Sequence, residues 1–160
     1  MTTSTVYRFR LPLPPKGTGM NARGHWSKRG TSYRRDCADL MRTCPLPDEP
    51  IAYARVTVSM AVCRRRPGKR SPGADVLAYH GAYRPLDREN FISAVKGAID
   101  ALQPYRSMTL SNGKVRELHG AGVIAVDDEE HADISWLPIV TVPSFAEEGV
   151  FITVEEMHGQ

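Results

Sequence analysis

Tyr7, Phe9, Leu11 and Leu13 alternate with Arg8, Arg10 and Pro12, a period of two that predicts a half-buried strand stopped by Pro14 and Pro15. The stretch that follows, "KGTGMNARGHWSKRGTS", has glycines, basic residues and one Trp but no apolar period, and reads as a loop. From about Ser32 to Thr43 the spacing changes. Tyr33, Cys37, Leu40, Met41 and Cys44 recur as on one face of an amphipathic helix that Pro45 ends, with Arg34, Arg35, Asp39 and Arg42 on the other face. A second strand is expected near Arg55 to Val62, where Val56, Val58, Met60 and Val62 share one side. The basic run "RRRPGKRSPGADVLAYHGAYRP" is broken by Gly and Pro, so residues 64–85 read as a flexible loop. Near Asp87 a second helix begins, with Phe91, Val95, Ala98 and Leu102 along one face.

Between Gln103 and Gly122 the order "MTL", "SNGK", "VREL" predicts a small hairpin whose turn uses the φ > 0 tolerance of Asn112 and Gly113. An apolar "GVIAV" then reads as a strand running into "DDEEHAD", and two β-rich segments follow, Ile134 to Val142 and Val150 to Glu155. Strands and helices in this order imply an α/β or α+β class, with a mixed sheet and two main helices in one domain over residues 1–160.

Composition narrows the picture. With 41% hydrophobic and 24% charged residues, global disorder and fibrous classes are excluded. No apolar run approaches the roughly 18 residues of a membrane span, and "MTTSTVYRFRLPLPPKG" carries charges where a signal peptide would be apolar, so a cytoplasmic protein with no membrane partner is expected. Cys37, Cys44 and Cys63 have no C-x-x-C or His spacing and read as small core residues. The net charge of +3 conceals an asymmetry: up to Arg88 there are 17 Lys/Arg against 6 Asp/Glu, and from Glu89 onward 4 against 12. A basic first part suits an anionic partner, nucleic acid first, although arginines that merely solvate a surface would give the same count.

Asp87 and Glu89 flank a helix start, where carboxylates are favoured by free N–H groups and the helix dipole. Asp127 to Glu130 form four adjacent carboxylates, which repel unless something neutralises them. Mg²⁺ is a hard ion that prefers carboxylate oxygen, and such a site suits phosphodiester hydrolysis; two solvated acidic clusters are the alternative. Lys96 stands two turns after Glu89 and is placed either to hold phosphate or to pair with Asp100 at i+4.

The segments "LPLPPKGTGMNARGHWSKRGTSYRRDC", "LDREN", "GVIAVDDEE" and "VFITVEEMHG" resemble, in order, the RusA family of Holliday junction resolvases. Most specific are the D-x-D-N-like start followed by A-x-x-x-x-x-D-A-L and the second acidic pair. The resemblance implies a homodimer that binds branched DNA and cuts phosphodiesters with Mg²⁺, or Mn²⁺ in its place. By that resemblance Asp87, Glu89 and Asp128 hold the metal, with Asp127 beside them, and Asn90 matches the asparagine that follows the acids. The sequence departs from the family pattern in two places: Glu89 stands where the family usually has Asp, and Ser93 stands one turn after it, leaving Lys96 as the nearest lysine. The expectation is an endodeoxyribonuclease with Asp87, Glu89, Asp128 and Lys96 at the reacting phosphate. Arg23, Lys28, Arg29, Arg64, Arg65 and Arg66 would hold the DNA backbone. The rival expectation is a branched-DNA-binding protein of the same fold without turnover.

Overall fold

A computed structural model describes residues 5–15, 26–65, 78–79 and 88–158. Its centre is the long strand β2 (Ala54–Arg65). One side of β2 pairs antiparallel with β8 (Gly149–Glu156), which in turn pairs antiparallel with β1 (Val6–Leu11). Along its other side β2 takes three short partners in succession: β6 (Ala132–Trp136) and β7 (Val140–Val142), both parallel, and β3 (Ala78–Tyr79), antiparallel. The sheet is therefore mixed.

The predicted alternation holds in β2: Val56, Val58, Met60 and Val62 are buried while Arg55 on the opposite face is exposed. In register Val56, Val58 and Met60 stand beside Val154, Ile152 and Val150 of β8, which adjoin Tyr7, Phe9 and Leu11 of β1. Against this apolar face lie α1 (Trp26–Met41) and α2 (Arg88–Asp100), so the core is one layer of side chains between a sheet and two helices. Phe91, Val95, Ala98 and Leu102 are all buried, as their spacing predicts. The other sheet face is exposed around Arg55, which pairs with Asp133 at 3.9 Å and Glu155 at 3.8 Å, but is covered further along at Ala61 and Cys63. No helix among the described residues is long and apolar enough to cross a membrane.

Four expectations are corrected. Helix α1 starts at Trp26, within the expected loop, because its first turns make no apolar stripe for periodicity to find. Leu40 is 42% exposed: the buried stripe of α1 runs through Tyr33, Cys37, Ala38 and Met41 and leaves Leu40 on its rim. Arg64 and Arg65 belong to β2, paired with Tyr79 and Ala78, so the expected loop over 64–85 contains the end of one strand and the whole of another. "GVIAV" is not a strand; it makes one isolated bridge, Ile51 to Ile124, because Gly122 at φ +74° turns the chain and Leu102 O accepts from both Val123 N and Ile124 N. Cys37 and Cys63 are buried and Cys44 partly so, as expected of core thiols.

The two helices approach closely at Gly97. A Cβ there would meet Tyr33 Cδ1 at 3.0 Å and Gly30 O at 3.4 Å. That approach brings the polar edge of α1, Arg34, beside the last turn of α2.

Candidate functional site

Helix α2 carries three charged residues that bear on function. Glu89 lies in its first turn, exposed and paired with no described residue, in a position the helix dipole favours. Two turns on, Lys96 Nζ donates to Asp100 Oδ1 at 3.0 Å, the i+4 pairing that helical spacing permits. The same ammonium lies 3.7 Å from Asp127 Oδ2. The geometry shows the pairing along the helix, and the same ammonium also reaches the acidic run that follows the buried connection.

Asp127 arrives there because its connection is pinned from behind. Ala121, Gly122, Val123 and Ile124 donate backbone N–H groups to carbonyls at the end of α2, and Ala125 N donates to Ile51 O. Extended regularity is absent, yet the backbone is satisfied. The chain leaves the core at Val126 and places Asp127, half-buried, against α2.

Arg34 completes the cluster from α1. Its Nε donates to His119 O at 2.5 Å and its Nη1 stands 4.0 Å from Asp100 Oδ2. The side chain is only 13% exposed, and its buried Nη2 has no partner among the described residues. Burial pushes Arg34 below its ordinary value, with Asp100 and Asp127 opposing and the positive charges of Arg106 and Arg116 adding to the effect. For Lys96, partial burial works against the ammonium, but the hydrogen bond and charge of Asp100, then Asp127, outweigh it and its pKa is raised. It stays protonated at neutral pH.

Asp128, one residue on, faces a different task. Its Oδ1 accepts from Glu130 N at 3.1 Å, His131 N at 3.0 Å and His131 Nδ1 at 2.6 Å, closing the turn that leads into β6. The His131 hydrogen bond holds the Asp128 carboxyl below its ordinary range. Tyr53 stacks on the His131 ring, centroids 5.6 Å apart, and fixes that turn further.

The acidic run therefore divides: Asp127 turns to the helix and Asp128 to its own turn. Among the described residues no three His, Cys, Asp or Glu side chains stand close enough to hold a metal ion. Asp87, the first acid of the expected set, lies outside the described residues, as do Arg23 and Arg66. Lys28 and Arg29 are in α1 and Arg64 and Arg65 in β2. Sequence reasoning misses two residues: Arg34, which helical spacing places on a plain polar face, and His131, hidden in an acidic run. Only the glycines Gly30 and Gly97 hint at the helix crossing that buries Arg34. Comparison with protein-family models and with curated proteins finds no match for this chain.

Proposed function

We infer that this chain is a RusA-like, Mg²⁺-dependent endodeoxyribonuclease that cleaves Holliday junctions or related branched DNA as a homodimer. The observation that carries the reading is the meeting of Lys96, Asp100, Asp127 and Arg34 at the end of α2, on the helix whose start bears Glu89. Carboxylates and phosphate-binding cations side by side are what phosphodiester hydrolysis needs. In this reading Asp87, Glu89, Asp127 and Asp128 would be the oxygen ligands, Asp128 through the oxygen its turn leaves free, and Glu89, Asp127 and Asp128 would have to draw together from their present separate places. A Mg²⁺ or Mn²⁺ ion held by them would supply Lewis-acid charge and a lowered water pKa. Lys96, kept protonated by its two carboxylates, offsets charge on the phosphate. Arg34, buried behind them, holds Asp100 in place as a positioning residue.

A labelled four-way junction incubated with the protein in Mg²⁺ and in EDTA tests this. Nicking in Mg²⁺ alone supports the nuclease. Binding without nicking in either supports a branched-DNA-binding protein without turnover, which has its own observation in favour: the Lys96 ammonium already neutralises Asp100 and Asp127. Neither binding nor nicking would sink both.

A further inference from the structure

The chain from Glu89 onward is acidic, and three of its four Lys/Arg residues are gathered in 14 positions, "YRSMTLSNGKVREL" (105–118). This segment is the hairpin of β4 (Arg106–Thr109) and β5 (Val115–Leu118), a two-stranded sheet of its own. Its register pairs Arg106 with Leu118 and Met108 with Arg116, so these four share one face, while Ser107, Thr109, Val115 and Glu117 share the other. The single acid, Glu117, is thus behind the arginines, and it is occupied there by Tyr105 Oη at 3.0 Å and His119 Nε2 at 3.7 Å. Lys114 adds a third cation at the turn, where Gly113 takes φ +77° and Asn112 Oδ1 accepts from Lys114 N. All of it but the half-buried Leu118 is exposed, Met108 at 46%.

The hairpin is rigidly mounted. At its base Gly120 packs so tightly on Gln103 that a Cβ would lie 1.9 Å from Gln103 O. Arg34 of α1 and Arg42, the residue after its end, hold the chain that leaves β5, Arg34 on His119 O and Arg42 on Gly120 O, and Arg106 donates to Gln103 Oε1 at 2.8 Å. Arg106 and Arg116 lie within electrostatic reach of Arg34, so the basic face stands near the Lys96 and Asp127 cluster. A fixed, exposed ribbon that keeps its cations on one face and hides its acid on the other has the charge complement of a polyanion. Two strands also fit the roughly 12 Å major groove of B-form DNA.

We propose that the 105–118 hairpin is a duplex-DNA-binding arm, laying Arg106, Lys114 and Arg116 on backbone phosphates of the helical arm beside the cleavage site. The proposal rests on the nuclease or junction-binding reading above, and it assigns DNA binding to a different segment from the basic first part of the chain. The test is fluorescence anisotropy of a labelled four-way junction and a linear duplex across a salt series, with wild type and the triple variant Arg106→Gln, Lys114→Gln, Arg116→Gln. A second variant, Thr109→Gln with Val115→Gln, alters only the other face. The triple variant is expected to lose on the order of tenfold affinity or more at low salt. Its log K against log salt slope should flatten by about 0.9 for each phosphate that the variant no longer neutralises. The second variant should bind as wild type.

Wild-type binding with an unchanged triple variant would overturn the arm and leave the nuclease reading standing. No DNA binding by wild type would overturn both. Equal losses in the two variants would show that the hairpin acts through its fold rather than its cations, and would overturn the arm. A switch from dimer to monomer in the triple variant, seen by light scattering, would assign this face to a second copy of the chain and overturn the proposal.

Discussion

Strand β2 and the connection from Gly120 to Ala125 both run through the apolar interior and both bury side chains there, but their backbones are held differently. β2 lies in a paired ladder and its alternate residues Val56, Val58, Met60 and Val62 are buried against two helices. The connection buries only the side chains of Val123 and Ile124 and is otherwise fixed by an irregular backbone, with Gly120 packed on Gln103 and successive N–H groups bonded to the chain just past α2 and to Ile51. Regular side-chain burial makes a scaffold that any apolar residue of similar volume maintains. Backbone pinning makes a path whose next residues can be aimed, and this path delivers Asp127 to Lys96.

The largest expected effect separates the two neighbours at the end of that path. Asp127→Asn removes the carboxylate that faces Lys96, and under the proposed nuclease reading junction cleavage is expected to fall on the order of a hundredfold or more, since groups around a reacting phosphate act electrostatically. Asp128→Asn should cost less, because the turn uses its Oδ1 and an amide oxygen can accept the same bonds. Asp133→Asn, on the solvated sheet face, should cleave as wild type. Single-turnover rates at matched Mg²⁺ rank the three, and a larger loss for Asp128 than for Asp127 would reverse the assignment.

Next comes the contrast between the two kinds of support. Gly120→Ala puts a methyl into the Gln103 backbone, which cannot move without displacing the end of α2; a loss of about 3 kcal/mol or more is expected. Met60→Ala in β2 leaves a cavity that neighbours partly fill, at about 2 to 5 kcal/mol. Urea denaturation measures both. The sharper distinction is local: amide exchange at Val123 and Ile124 should rise more than at Val58 in the glycine variant. Uniform exchange would show that scaffold and path unfold as one unit.

The difference also accounts for what can be read from sequence. Period-two and helical spacings expose β1, β2, β8 and the inner face of α2, since in those elements a side chain's fate follows from its position. The hairpin is legible through its turn, where Gly113 adopts the positive φ that only a few residues accept readily. The start of α1 and the 120–131 connection are not. "WSKRGT" has no apolar stripe, and "GVIAV" is apolar in every position but Gly, which fits a buried strand and a buried coil equally well. Nothing in the order of residues reveals that Leu102 O takes two N–H donors. Arg34 is recognisable as a polar-face residue, but its burial depends on a helix crossing at Gly97.

A smaller effect distinguishes scaffold thiols from reactive ones. Burial pushes the Cys37 thiol up to about 12, so it remains protonated at neutral pH and is a poor nucleophile. In native protein, an iodoacetamide time course followed by peptide mass spectrometry should leave Cys37 unlabelled while partly exposed Cys44 reacts. Labelling of Cys37 at the rate of Cys44 would mean that α1 opens from the sheet far more readily than its buried side chains imply.

The smallest effect probes the turn alone. The carboxyl of Asp128 is held below its ordinary value by the His131 hydrogen bond, so folding favours its charged form. A depressed folded value contributes stability that is present above the unfolded pKa, about 3.9, and is lost as pH falls through the folded value. Asn at this position keeps the acceptor and forgoes the charge. The melting temperature of wild type should therefore exceed that of Asp128→Asn by a small margin at pH 5 to 7, and the margin should shrink below pH 4 and vanish once the carboxyl is protonated in both states. The sign is diagnostic: were Asp128 repelled by Asp127, Glu129 and Glu130 more than it is held by His131, the variant would be the more stable protein at neutral pH and the margin would change sign. That outcome would break the division of labour between Asp127 and Asp128, because a turn that gains nothing from its charge has no reason to keep Asp128 from the helix.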